Sequence, residues 1–168
     1  MLDLDAESIY VALARRVREH VVGRQPLLVG VHTGGVWLAE RLRTELGIEA
    51  PVGILDVSFY RDDYSQGGLN RGVRPSRIPF DINGADILLV DDVLNTGRTV
   101  RAAMNELFDY GRPARIELAV LIDRGGRELP IATNLVGRTI EVPPDVSVVL
   151  SRDDDQRLHL CLEHDSKG

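Results

Sequence analysis

The sequence is short of several residue types, and each shortage narrows what it can be. Among 168 residues there is one cysteine, Cys161, so no disulfide can form within the chain and a reducing, cytoplasmic setting is expected. Aromatic residues make up 5% of the chain, and the single tryptophan is Trp37. No apolar run approaches membrane-spanning length. The start, Met1 to Glu7, lacks the basic flank and apolar stretch of a secretory signal. Positive charge is not in excess: the net charge is −6, which argues against coating the whole surface with nucleic acid but leaves room for a local basic patch. Lysine is nearly absent, Lys167 being the only one, so the basic residues are almost all arginine. Arginine makes planar, two-pronged contacts with phosphate; codon bias would produce the same skew.

What is present reads as one α/β domain. Ile9, Leu13, Val17 and Val21 recur every four residues, which predicts an amphipathic helix over Asp5–Val22 capped by Asp5 or Asp3. Leu27–Val31 is a continuously apolar run, the mark of a buried strand. His32-Thr33-Gly34-Gly35 reads as a turn, followed by a helix over Val36–Leu46 that Gly47 ends. Further strands are predicted over Val52–Phe59, Asp86–Asp92, Ile116–Ile122, Val146–Leu150 and Leu158–Leu162, with a helix over Arg98–Tyr110 closed by Gly111 and Pro113. Tyr60–Ile78 is rich in glycine and polar groups and lacks periodicity, the composition of a loop that is either disordered or functional. Strands alternating with helices predict a mostly parallel sheet, with ligands beyond the carboxyl ends of its strands.

The most informative segment runs from Ile87 to Thr99. An apolar strand ends in Asp91 and Asp92, then Val93, Leu94, Asn95, and a Thr96-Gly97-Arg98-Thr99 turn that opens a helix. Amides at a helix start bind anions, Gly97 lets a phosphate approach closely, Thr96 and Thr99 can donate hydroxyls, and Arg98 adds charge. This is not a P-loop, since the long glycine-bounded loop and its lysine are missing. Two carboxylates beside an anion site suit a ligand that also carries hydroxyls or a divalent cation, as a ribose 5-phosphate unit does.

That segment resembles the phosphoribosyl pyrophosphate motif of the type I phosphoribosyltransferases. The wider sequence is similar to the pyrimidine operon regulator / uracil phosphoribosyltransferase family. The similarity lies in Val29–Leu42, Phe59–Asp63, Val90–Arg101 and the long stretch from Gly111 to Ile131, whose Asp123-Arg124-Gly125-Gly126-Arg127-Glu128-Leu129-Pro130 run is the family-specific part. The resemblance implies a type I phosphoribosyltransferase fold: a central, mostly parallel twisted sheet flanked by helices, a small hood from about 124–168, and a mobile active-site loop at about 60–78. It implies that uracil and phosphoribosyl pyrophosphate (PRPP) give UMP and pyrophosphate with Mg2+. Asp91 and Asp92 would serve as the catalytic pair on the ribose hydroxyls and the metal. Thr96, Gly97, Arg98 and Thr99 would take the 5-phosphate. Thr33, Gly34 and Gly35 would meet the pyrophosphate, with Arg74 a further contact. Val93, Leu94 and Arg124 would lie on the nucleobase side, and Asn95 within the same loop. A homodimer or homotetramer is implied as well.

Three positions depart from that family pattern or bear on it. Gly34 stands where an arginine or lysine is frequent, and Gly126 where histidine is usual. Asn95 stands where purine enzymes carry an aspartate. Asparagine cannot act as the base that the aspartate provides, which counts against a purine substrate; Gly34 and Gly126 keep open a UMP-sensing regulator with little turnover, and a transferase for another base is the third reading. Some members of the resembled family bind the leader of pyrimidine messenger RNA, and Arg15 and Arg18 on the first helix are candidates for that contact; given the acidic net charge, an ordinary solvated helix face is the preferred reading. His32 is expected to be structural or solvent-facing, and Trp37 to serve core or interface. Asp153-Asp154-Asp155 reads as a solvated turn. His20, His159 and His164 lack metal-ligand spacing with Cys161, so no zinc site is expected. Ser58 and Ser76 show no nucleophile context.

Overall fold

The computed structural model describes residues 3–57 and 76–166. The elements run in the order α1 (Ala6–His20), β1 (Leu27–Val31), α2 (Gly34–Leu46), β2 (Gly53–Leu55), β3 (Asp86–Leu94), α3 (Arg98–Tyr110), β4 (Arg115–Asp123), β5 (Leu135–Thr139), β6 (Val146–Arg152) and β7 (Leu158–His164). Five strands form one sheet in the order β2-β1-β3-β4-β5, every pair parallel. β6 and β7 pair antiparallel as a separate hairpin. Among the described residues no helix is long and apolar enough to cross a membrane.

Period-two alternation divides the sheet's side chains between two cores. Leu28, Leu88, Val90, Ala119 and Leu121 face α1 and α2, where the stripe Ile9, Leu13, Val17 is buried. Val29, Val31, Leu89, Leu118 and Val120 face α3 through Val100, Ala103 and Leu107. Val148, Leu150 and Leu158 of the hairpin join the first core, so the hood is packed onto the sheet rather than suspended above it.

The expected elements are present, with shifted ends. Asp5 caps α1, accepting from the N–H groups of Glu7 and Ser8. The second helix begins two residues before its expected start, so Gly34 and Gly35 belong to it and the turn shrinks to His32 and Thr33, joined by a cis peptide. Close approach is the reason: a β-carbon on Gly35 would sit 2.3 Å from the Val90 carbonyl oxygen, and one on Gly30 would sit 2.6 Å from Val36 Cα. These glycines let α2 rest its first turn on β1 and β3. β2 is shorter than Val52–Phe59, ending at Leu55, and Ser58 and Phe59 lie outside the described residues. Of the loop expected over 60–78, only 76–78 is described; Arg77 exchanges two backbone hydrogen bonds with Ile54, and the Ser76 hydroxyl accepts from the Asp56 N–H. β5 was not anticipated. It occupies part of the stretch expected to supply hood elements, and it extends the main sheet instead.

Candidate active site

The sheet order places the chain's change of direction between β1 and β3. From β1 the chain crosses outward to β2, whereas β3 leads to β4 and β5 on the other side. Beyond the carboxyl ends of strands at such a switch point a crevice opens. Here it is a cleft of about 430 Å³ lined by Thr33, Gly34, Asp91, Asp92, Val93, Asn95, Thr99 and Arg124, and roofed by Ser147 to Leu150 of β6.

Two helices start at this cleft, and neither is capped by the side chain of its own N-cap residue. Thr33 precedes α2 and Gly97, at φ +92°, precedes α3; neither makes a side-chain cap. α1, which starts elsewhere, is capped by Asp5. An uncapped helix start leaves amides and the positive end of the dipole for a ligand. Between the two starts lie the acids. Asp91 is 2% exposed and its Oδ1 accepts from the Asp92 N–H at 2.8 Å. Asp92 is half-buried, its Oδ1 accepts from the Val93 N–H at 2.8 Å, and its Oδ2 leans over Gly34. The cleft therefore sets two adjacent carboxylates between two helix N-termini.

The loop of residues 95–97 is braced from behind. The Thr96 carbonyl accepts from the N–H groups of Glu128 and Leu129 at 3.0 and 3.1 Å. The Thr96 hydroxyl accepts from the Arg98 N–H at 3.1 Å. Gly97 packs on Ile131 so closely that a β-carbon would lie 2.9 Å from Ile131 Cγ1. Arg127 donates to the Asn95 carbonyl at 2.9 Å, the Ile131 carbonyl at 2.7 Å and the Asp123 carboxylate at 2.6 Å. Burial alone would raise the Asp123 pKa; the hydrogen bonds from Arg127 and the Gly125 N–H outweigh it and hold the carboxyl below its usual range.

The site residues expected from the sequence are sorted unevenly. Thr33, Gly34, Asp91, Asp92, Val93, Asn95 and Thr99 line the cleft together. Gly35 is spent on the packing of α2 against Val90. Leu94 is a correction: it is 1% exposed in the core beneath α3, so its side chain lies behind the cleft and not on a nucleobase face. The Arg98 guanidinium pairs with Glu128 at 2.8 Å, both half-exposed, so its charge is partly satisfied within the protein. Arg124 lines the cleft; its guanidinium donates to the carbonyls of Val146 at 2.5 Å and Pro143 at 3.0 Å, which ties the hairpin down, while its Nε is buried without a hydrogen-bond partner among the described residues. Arg74 lies outside the described residues. Trp37 is half-buried against the α1–α2 core with Arg152 of β6 stacked 4.8 Å from its ring. Asp153 closes the β6–β7 turn, accepting from the Arg157 N–H and bonding His159. Arg18 faces Glu45 at 3.8 Å, and Arg15 is exposed.

The β6 wall and Arg127 were not singled out as site residues from the sequence. The wall carries no polar motif, and Arg127 acts mostly on main-chain carbonyls, which leave no residue signature.

Comparison with known proteins agrees with this geometry. Residues 5–154 match the model of the phosphoribosyl transferase domain. A "Bifunctional protein PyrR" of Pseudomonas aeruginosa is 54% identical over 141 residues, covering 82% of this chain and 83% of that protein. One of Pseudomonas syringae pv. syringae is 53% identical over 159 residues, covering 93% and 94%. Among solved structures, a hypoxanthine phosphoribosyl transferase of Trypanosoma cruzi superposes with a TM-score of 0.65 at 24% identity, covering 94% of this chain and 86% of that one. A hypoxanthine-guanine phosphoribosyltransferase of Bacillus anthracis gives 0.62 at 18%, covering 84% and 80%; at these identities the likeness speaks for the fold alone. The chain belongs to the phosphoribosyl transferase domain family and, within it, to the PyrR proteins.

Proposed function

We propose that this chain transfers a 5-phosphoribosyl group from PRPP to uracil, giving UMP and pyrophosphate, and that it also regulates a pyrimidine operon in the cytoplasm. The observation that carries the reading is the pair of helix starts, at Thr33 and Gly97, that flank Asp91 and Asp92 at the switch-point cleft. The 5-phosphate belongs at Thr96–Thr99 and the α3 start, the ribose diol at the two acids, and the pyrophosphate at Thr33, Gly34 and the α2 start. The base then lies toward Val93 and the Val148–Leu150 wall, an apolar surface suited to a flat ring.

In the reaction the bond from C1 to the pyrophosphate oxygen breaks, its electron pair leaving with pyrophosphate. The bond from C1 to uracil N1 forms, and the N1 proton is released. The ribose carries positive charge in between, which the Asp91–Asp92 carboxylates favour electrostatically. The protein's larger contribution is to hold donor and acceptor in line.

The residues fit a Mg2+ ion delivered with the substrate. Asp91 and Asp92 are adjacent at the cleft, and among the described residues no group of three acids, histidines or cysteines could hold a metal unaided. Magnesium takes one or two carboxylates and draws its remaining ligands from phosphate and water. Bound there, it would neutralise charge on the leaving pyrophosphate.

The decisive experiment incubates the protein with PRPP, Mg2+ and labelled uracil, hypoxanthine, guanine or orotate in turn. UMP should form, only the uracil arm should turn over, and Asp92→Asn should lose the activity. Absence of uracil turnover would sink the catalytic reading. For the regulatory half, exposed Arg15 and Arg18 on α1 are the candidate contacts with leader RNA. A UMP-enhanced gel shift that weakens in Arg15→Ala/Arg18→Ala supports it; absent or salt-insensitive binding opposes it. A homodimer or homotetramer is part of this reading and is read by sedimentation.

A further inference from the structure

Segment 127–131 contains no regular secondary structure, yet it supplies four braces to the equally irregular loop 95–97. Two backbone N–H groups bind the Thr96 carbonyl, Ile131 seats Gly97, and Arg127 binds the Asn95 carbonyl. Such a segment can fix a loop only if something fixes the segment. Its path begins with Gly125 and Gly126 at φ +71° and +76°, a consecutive left-handed pair that folds the chain back under the end of β4. That return brings Arg127 to Asp123, the last residue of β4, and Asp123 is in turn held by the Gly125 N–H at 2.9 Å. The guanidinium then spans the sheet end, the loop and the segment's far end at Ile131 with three hydrogen bonds. Its side chain is 26% exposed, and its Nε, Nη1 and Nη2 all donate to acceptors within the protein, so its donors serve the loop and the sheet end.

We propose that Arg127 is the positioning residue of the 5-phosphate site, setting the height and tilt of loop 95–97 against the end of β4. This rests on the reading of the cleft as a PRPP site. It goes beyond that reading by assigning the geometry of the phosphate subsite to a side chain that never touches phosphate. Misplacement of a binding loop by a fraction of its hydrogen-bond length is felt first by the group that loop receives. Loss of Arg127 should therefore weaken phosphate-bearing ligands selectively and leave recognition of the base intact.

The test uses the full chain and two variants, Arg127→Met and Arg127→Lys. Calorimetric titration with ribose 5-phosphate and with UMP, KM for PRPP and for uracil, and the thermal midpoint are measured for each. In Arg127→Met the affinity for ribose 5-phosphate and UMP should fall about tenfold or more, and KM for PRPP should rise alike, with KM for uracil little changed. Guanidinium ion at millimolar concentration should recover part of the loss. Arg127→Lys, which keeps the charge but not the three-way fork, should show an intermediate loss. Equal loss for PRPP and uracil, or no rescue, would mean a general structural role and overturn the proposal. If Arg127→Met does not fold, Arg127→Lys decides: wild-type affinity for ribose 5-phosphate overturns it and a selective loss supports it. A wild-type protein that binds ribose 5-phosphate but converts no uracil overturns the proposed reaction alone, whereas wild-type affinity in both variants overturns the role of Arg127 alone.

Discussion

The Asp92 carboxylate occupies the space that a side chain on Gly34 would need: a β-carbon there would lie 2.5 Å from Asp92 Oδ2 and 3.0 Å from Asp92 Cβ. The two residues come from different elements, α2 and β3, and meet across the cleft. At Gly34 this chain carries a hydrogen atom in place of a side chain and turns a carboxylate toward it. The lack of a side chain at Gly34 is thus matched by the posture of Asp92.

Gly34→Ala should displace the Asp92 carboxylate without disturbing the core beneath it. We expect kcat/KM for PRPP to fall about tenfold or more, with a thermal midpoint close to that of the wild type. Steady-state kinetics beside a melting curve checks this. Unaltered kinetics would show that Asp92 has another orientation available at no cost.

Gly35→Ala should behave differently, because its obstacle is main chain. The Val90 carbonyl oxygen would stand 2.3 Å from the new carbon, and neither α2 nor β3 can yield without moving core residues. Overpacking of this kind costs about 1–3 kcal/mol. Urea denaturation should show the loss directly.

Arg124→Ala should loosen the hood and leave the phosphate side in place. Its two bonds to the Val146 and Pro143 carbonyls hold the start of β6, and the β6 wall borders the proposed base site. KM for uracil should rise several-fold while KM for PRPP changes less. A larger effect on PRPP would contradict this division of labour.

Acid should weaken the joint between α1, α2 and β7. Glu7 accepts from Arg41 at 3.1 and 3.0 Å and from the Leu158 N–H at 2.7 Å. Burial pushes its pKa up, but the bonds from Arg41 and Leu158 outweigh it and the net direction is down from 4.5. A carboxyl lowered on folding contributes its full stability above its unfolded pKa, and the contribution fades as pH falls through the folded value. At neutral pH, Glu7→Gln should cost about 1–3 kcal/mol, and the gap between variant and wild type should narrow only below 4.5. Urea melts across that range measure the gap; a constant gap would refute the coupling.

The third helix was readable because glycine marks both its ends: Gly97 and Gly111 bracket Arg98–Tyr110, the span expected from the pattern. The stripe of α1 and the strand ending in paired acids were equally plain, since periodicity and burial have the same cause. β5 escaped notice because Leu-Val-Gly-Arg-Thr offers two buried residues and a glycine. That glycine is needed where Ile9 and the Leu121 carbonyl press against it, which only the packed fold reveals. Leu94 was misassigned for a related reason. It follows Val93 in the motif, but strand alternation sends the two side chains to opposite faces. The roles of Arg124 and Arg127 could not be read from residue types, because most of their partners are carbonyl oxygens that every residue possesses.

Arg124 and Arg127 leave the same strand end three residues apart and serve opposite halves of the cleft, one reaching the hairpin and the other the loop before α3. Such a fork makes the two halves separately exchangeable. A hairpin evolved for a different ring could be grafted onto β4 with the sugar-handling machinery left as it is, provided the arginine that clasps it is kept. Diversification of ring preference on this scaffold would then require changes at one prong only.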